Sequence, residues 1–94
     1  MPITYEWDAR KAATNRAKHG IDFEAAKEAF LDPAALIEID AHRFGEERWR
    51  LIGLAGGRVL LVVYTEPDTD VVRIISARKA SKREEKTYFD QAAF

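Results

Sequence analysis

The chain has 94 residues, 47% of them hydrophobic, a formal net charge of −1 and no cysteine. That length fits one domain, 1–94, with a thin core, and the missing cysteine excludes a disulfide framework, a thiolate metal site and a cysteine nucleophile. No apolar run approaches the ~18 residues that cross a bilayer, and the acidic start Tyr5-Glu6-Trp7-Asp8 lacks the basic flank and apolar stretch of a secretion signal, so a cytoplasmic protein away from membranes is expected.

Residues 3–7 alternate as a short strand would. Asp8 then offers an N-cap, with Trp7 before it placed to staple onto Ala12, and predicts a helix over 9–19. Its expected inward stripe is Ala9, Ala12, Ala13 and Ala17, and Gly20 supplies the left-handed residue after its end. Asp22 restarts the pattern: Phe23, Ala26 and Phe30 recur at helical spacing, so a second helix spans about 23–31 and stops before Pro33.

From residue 35 the period becomes strand-like, with Leu36, Ile37 and Ile39, then Trp49–Leu54, Val59–Tyr64 and Val71–Ala77. Gly56-Gly57 suits a tight hairpin turn, which sets Trp49 opposite Tyr64, Leu51 opposite Val62 and Arg48 opposite Thr65. The longer loop Glu66–Asp70 leaves the next register open, and with it the face that Arg73 and Arg78 occupy. Ser81-Lys82-Arg83-Glu84 fits a capping box that opens a last helix, its buried side holding Tyr88 or Phe89 with Ala92 or Ala93. The order β-α-α-β-β-β-β-α predicts an α+β domain: a four- to five-stranded antiparallel sheet, an N-terminal helical pair on one face and a C-terminal helix near the other.

Charge is divided unevenly, with 6 Lys and Arg against 10 Asp and Glu in residues 1–47, and 9 against 6 in residues 48–94. The second half is therefore suited to an anion. His19 and His42 have no second ligand at helical spacing, so no metal is expected. The glycines form neither a phosphate loop nor a dinucleotide fingerprint, so no cofactor is implied. Neither Ser76 nor Ser81 has a nucleophile-elbow context. What remains is cationic: Arg48, Arg50, Arg58, Arg73, Arg78, Lys79, Lys82, Arg83 and Lys86, interleaved with Trp49, Tyr64 and Tyr88. Guanidinium groups hold phosphates and aromatic faces stack on unpaired bases, a mixture suited to single-stranded RNA. Arg73 interrupts the apolar run Val71–Ile75 and needs a ligand or an acidic partner such as Glu38, Asp40 or Glu47. A metal-free ribonuclease needs only to deprotonate the 2′-hydroxyl, protonate the leaving 5′-oxygen and stabilise the phosphorane between them.

Several segments together resemble one family. Tyr5-Glu6-Trp7-Asp8, Asn15-x-x-Lys18-His19-Gly20-Ile21-x-Phe23-Glu24-x-Ala26 and Asp32-Pro33 are similar to the N-terminal signature of BrnT-type toxins. Gly45-Glu46-Glu47-Arg48, Ile52-Gly53, Gly57-Arg58-Val59-Leu60, Val62-Val63-Tyr64-Thr65, Arg73-Ile74-Ile75-Ser76-Ala77-Arg78-Lys79-Ala80 and Glu84-x-x-x-Tyr88 follow in the family's order, so the resemblance covers about residues 4–90. It implies a RelE-like fold, a toxin of a type II toxin-antitoxin pair and an endoribonuclease that halts translation. The implied partner is a BrnA-type antitoxin in a two-plus-two complex that alone contacts operon DNA.

By position, the resemblance makes Arg48, Arg73, Arg78 and Tyr88 the catalytic candidates: Arg73 and Arg78 for transition-state charge, Arg48 for substrate phosphate, Tyr88 for leaving-group protonation or base stacking. Arg58, Lys79, Lys82 and Arg83 are expected to bind RNA, free or ribosome-associated. Glu84 is read as a helix cap and Lys18-His19-Gly20 as a helix end. Asp22, Glu24 and Glu28 are expected to face a basic segment of the antitoxin. The competing functions are a non-catalytic binding module for antitoxin and operon control, and direct DNA binding through the last helix.

Overall fold

Asp8 starts the first helix as its side chain predicts. In the computed structural model, which describes residues 2–43 and 46–92, its carboxylate accepts from the amides of Arg10 and Lys11 at 2.8 and 3.0 Å and opens α1 (Ala9–His19). Gly20, at φ +72°, ends it in the left-handed region, its N–H donating to the Arg16 carbonyl at 2.8 Å. The expected second helix is divided into α2 (Phe23–Ala26) and a 3-10 segment (Lys27–Leu31).

The strands are β1 (Thr4–Glu6), β2 (Leu36–Arg43), β3 (Glu46–Ala55), β4 (Arg58–Asp68) and β5 (Val71–Lys79), with α3 (Lys82–Ala92) at the end. They form one sheet in the order β1-β5-β4-β3-β2. Among the described strands β2 to β5 are antiparallel neighbours, whereas β1 lies parallel to β5, so the sheet is mixed rather than wholly antiparallel. The parallel edge follows from the topology: the chain returns to β1's side only after the helices and a full meander have been laid down.

The hairpin register is as predicted, with Trp49 opposite Tyr64, Leu51 opposite Val62 and the turn at Gly56-Gly57, both at positive φ. The register of β5 is set by a bulge at Ile75: Ser76 faces Val63, while Ile74 faces Tyr64 and Arg73 faces Thr65.

Both sheet faces are covered. Leu51, Leu60, Val62, Tyr64, Val72, Ile74 and Ala77 pack with Ile21, Phe23, Ala26 and Ala29 beneath α1, α2 and the 3-10 segment. Ile52, Val59 and Leu61 pack with Ala80 and Tyr88 under α3. Of the two aromatic residues expected on the inner side of α3, Tyr88 is buried and Phe89 is exposed; the Ala92 or Ala93 packing falls outside the described residues.

The expected alanine stripe of α1 is a correction. Ala9, Ala13 and Ala17 are exposed, Ala12 alone of the four is partly buried, and the buried residue of the helix is Asn15. Methyl groups bury too little area to seat a helix, so a polar clip does it instead. The Asn15 amide accepts from Ala77 N–H at 3.1 Å and donates to the Ala77 carbonyl at 2.8 Å and the Ile21 carbonyl at 3.1 Å. The 3-10 segment is seated differently: at Gly53 an added Cβ would lie 2.8 Å from the Ala29 carbonyl oxygen, so only glycine lets that backbone approach β3.

Replacing Asn15 by Ala strands buried backbone groups of β5 and the α1–α2 turn, and is expected to cost about 2–4 kcal/mol. Urea unfolding followed by circular dichroism checks this: the midpoint falls with the slope unchanged.

Candidate functional site

Strand alternation decides which arginines share a face. Arg50 lies beside Val63, which lies beside Ser76, and Thr65 lies beside Arg73. The β3–β4 ladder ends at the Trp49–Tyr64 pair; Arg48 is the next residue on β3 and Thr65, the next on β4, pairs with Arg73. Arg78, beside Leu61, belongs to the same face two rows nearer the hairpin.

Three of these four arginines are held by carboxylates. Arg78 makes a two-pronged contact with Glu84, at 2.9 and 3.0 Å, and Arg50 reaches Glu84 at 3.4 Å, Glu38 at 3.3 Å and Asp40 at 3.8 Å. Arg73 pairs with Glu6 of β1 at 2.7 Å, its register neighbour, rather than with the acids of β2 and β3 expected from sequence. Arg48 makes no ion pair or hydrogen bond with any described residue; its Nε is buried without a hydrogen-bond partner, as are the Arg50 Nε and the Thr65 hydroxyl.

Arg48 opens instead onto a groove of about 430 Å³ between the sheet and α1, lined by Arg10, Lys11, Thr14, Asn15, Lys18, His19, Ile75 and Ser76. No carboxylate of the described residues lines it. Lys11, Thr14, Asn15 and Lys18 recur at helical spacing along α1, which carries no acidic residue, so one helix face is a cationic stripe. The sequence reading missed this stripe because the surplus acids of residues 1–47 hide it. The charge of residues 9–20 taken alone would have shown it.

The remaining candidates lie elsewhere. Tyr88 donates its hydroxyl to Asp32 at 2.5 Å, and that hydrogen bond, with burial, raises its pKa to about 12. Burial pushes Asp32 upward, but the Tyr88 hydroxyl and the Leu54 and Ala34 amides outweigh it and leave the carboxyl below its usual range. Arg58 and Lys79 line a smaller recess of about 180 Å³ at the hairpin end, with Glu85 and Phe89. From Arg48 to that end β3 spans about 23 Å. Lys82 and Arg83 are exposed on the first turn of α3. Glu84 is the cap it was read to be, accepting from Ser81 N–H at 2.7 Å while Ser81 Oγ accepts from its own N–H at 3.1 Å. Asp22 pairs with Arg16, Glu24 with Lys27, and Glu28 accepts from Gly56 N–H, so all three acids offered to an antitoxin are engaged within the chain.

A small α+β domain whose groove, among the described residues, gathers cations and no carboxylate has the charge to hold a polyanion. Residues 7–84 match the family described as ribonuclease toxin, BrnT, of type II toxin-antitoxin system, and the chain belongs to that family. Its fold is similar to that of the Brucella abortus ribonuclease toxin BrnT, known from a 1.1 Å crystal structure: TM-score 0.65, 29% identity, 85% of this chain and 99% of that one covered. No curated protein matches the chain. A type II toxin has an antitoxin as partner. None of the described helices is long and apolar enough to cross a membrane.

Hydrogen bonds from Arg78 are the first cause of a lowered Glu84 pKa, so the carboxylate stabilises the fold above its ordinary pKa of 4.5 and loses that contribution as pH falls through the lower folded value. Glu84→Gln is expected to lower stability by about 1–3 kcal/mol at neutral pH and to converge on the wild type below the carboxylate range. Denaturant melts between pH 3 and pH 7 compare the two proteins.

Proposed function

We propose that this toxin is a metal-independent endoribonuclease that cuts RNA by attack of the 2′-hydroxyl, halts translation, and is neutralised by a BrnA-type antitoxin in a two-plus-two complex that contacts operon DNA through the antitoxin. The observation that supports the reading is Arg48, which lines the cationic groove and has no carboxylate contact among the described residues. A guanidinium without a carboxylate lacks a charged acceptor, and a phosphate oxygen supplies one with a charge-assisted bond. Arg10, Lys11 and Lys18 extend the positive wall along α1 for neighbouring phosphates.

In this reading Arg48 binds the phosphate at the cut and stabilises the phosphorane. Arg73, about half exposed, exchanges Glu6 for an adjoining phosphate. Arg78 would have to leave Glu84, and Tyr88 would have to give up Asp32, before either acted on RNA. Both are assigned to holding α3 on the sheet. A phenol with a pKa of about 12 is poorly matched to proton donation at neutral pH. Arg58, Lys79, Lys82 and Arg83 serve as outlying contacts for a strand that continues past the hairpin.

The test is incubation of the antitoxin-free protein with total RNA in EDTA, with and without ribosomes, followed by analysis of the new 3′ ends. Cleavage leaving 2′,3′-cyclic phosphate and about 100-fold weaker in Arg48→Ala is expected. Cleavage abolished by EDTA overturns metal independence, and a fully active Arg48→Ala overturns the groove. A wild type that binds antitoxin yet cuts nothing makes the protein a binding module.

A further inference from the structure

We propose that His19 is the general base of RNA cleavage, an inference that rests on the groove being the RNA site. The groove's lining divides by what each side chain does with a proton. Arg10, Lys11, Lys18 and Arg48 are cations that hold phosphate but accept no proton near neutral pH. Thr14, Asn15 and Ser76 are neutral, and Ile75 is apolar. Attack by the 2′-hydroxyl needs an acceptor for its proton. His19 is the lining side chain whose chemistry provides one, because imidazole takes up and releases protons in the neutral range.

Its position fits that task. His19 is the last residue of α1, exposed, one step beyond Lys18, and Gly20 in the left-handed region turns the chain away behind it. No described residue engages its ring in a hydrogen bond or ion pair, whereas the carboxylates nearest in sequence and in the sheet are occupied: Asp22 by Arg16, Glu84 by Arg78 and Arg50, and Glu6 by Arg73. The charged groups sharing the groove with the imidazole are Arg10, Lys11 and Lys18 from α1 and Arg48 from β3. All are positive, which suits a site that holds a phosphate beside the imidazole.

In the step so assigned, the neutral imidazole takes the 2′-hydroxyl proton as the O2′–P bond forms and the P–O5′ bond breaks. The products are a 2′,3′-cyclic phosphate and a 5′-oxygen that takes its proton from water. The hydroxide left behind recovers the proton from the imidazolium, so the enzyme returns to its starting state.

The experiment compares wild type, His19→Ala, His19→Gln and Arg48→Ala on a short single-stranded RNA, with binding measured on the same sequence carrying 2′-deoxyribose at the cut site. In both His19 variants cleavage is expected to fall at least ~100-fold while affinity for the 2′-deoxy strand changes by less than ~3-fold. The acid limb of the kcat/KM profile disappears with the imidazole, and added imidazole restores part of the rate to His19→Ala. Arg48→Ala instead weakens binding. His19 variants that cut at the wild-type rate with the wild-type pH profile overturn this inference alone. A loss of cleavage matched by a loss of binding makes His19 a phosphate ligand and also overturns it. A wild type that neither binds nor cuts RNA overturns the reading of the groove, and this inference with it.

Discussion

The amide of Asn15 sets the geometry on which the candidate site depends. By answering both the N–H and the C=O of Ala77, it substitutes for a neighbouring strand where β1 has already ended, and so ties α1 to the outer edge of β5. Its third bond, to the Ile21 carbonyl, fixes the chain just after the helix and carries Ile21 and Phe23 into the core. A helix seated by apolar packing alone would be free to roll by part of a turn with little penalty. A helix held by three directional bonds presents one stripe, and that stripe is Lys11, Thr14 and Lys18 beside Arg48.

The charge on the sheet face is managed in an analogous way. Four arginines projecting from one face of β3 and β5, with β4 between them, would repel one another, and acids from β1, β2 and α3 are placed against three of them. Glu84 is central to this arrangement. It caps its own helix, holds Arg78 and meets Arg50, so the placement of α3 and the neutralisation of the face are one event. Arg48 is paired with none of these acids, and that missing carboxylate is the physical difference between it and its neighbours.

Much of the fold was legible in the sequence because local rules governed it. The Asp8 cap, the Gly20 stop, the Gly56-Gly57 turn and the Ser81–Glu84 box are short-range features, and the structure has each where the residues predict it. The family was legible as well, since its segments recur in order over most of the chain. What the sequence withheld was long-range. The parallel pairing of β1 with β5, the bulge at Ile75 and the partner of Arg73 all join residues far apart in the chain. The site was only half legible for the same reason. Arg48 was singled out as a strand arginine, but its companions are on a helix whose alanines drew attention to the wrong face and whose cations were averaged away by distant acids.

That averaging has a consequence for how the toxin meets its substrate. With a net charge of −1 the molecule as a whole is not drawn to a polyanion, yet Arg10, Lys11, Lys18 and Arg48 gather along one groove, while Asp22 and Glu24 are paired with Arg16 and Lys27. If the groove is the RNA site, a local cluster on a molecule of near-zero net charge would turn an approaching strand more than it draws it, and collisions in the wrong orientation would be rejected before contact. Selectivity for approach would then exceed selectivity for binding, and both would fade as salt shortens the screening length to less than the width of the domain.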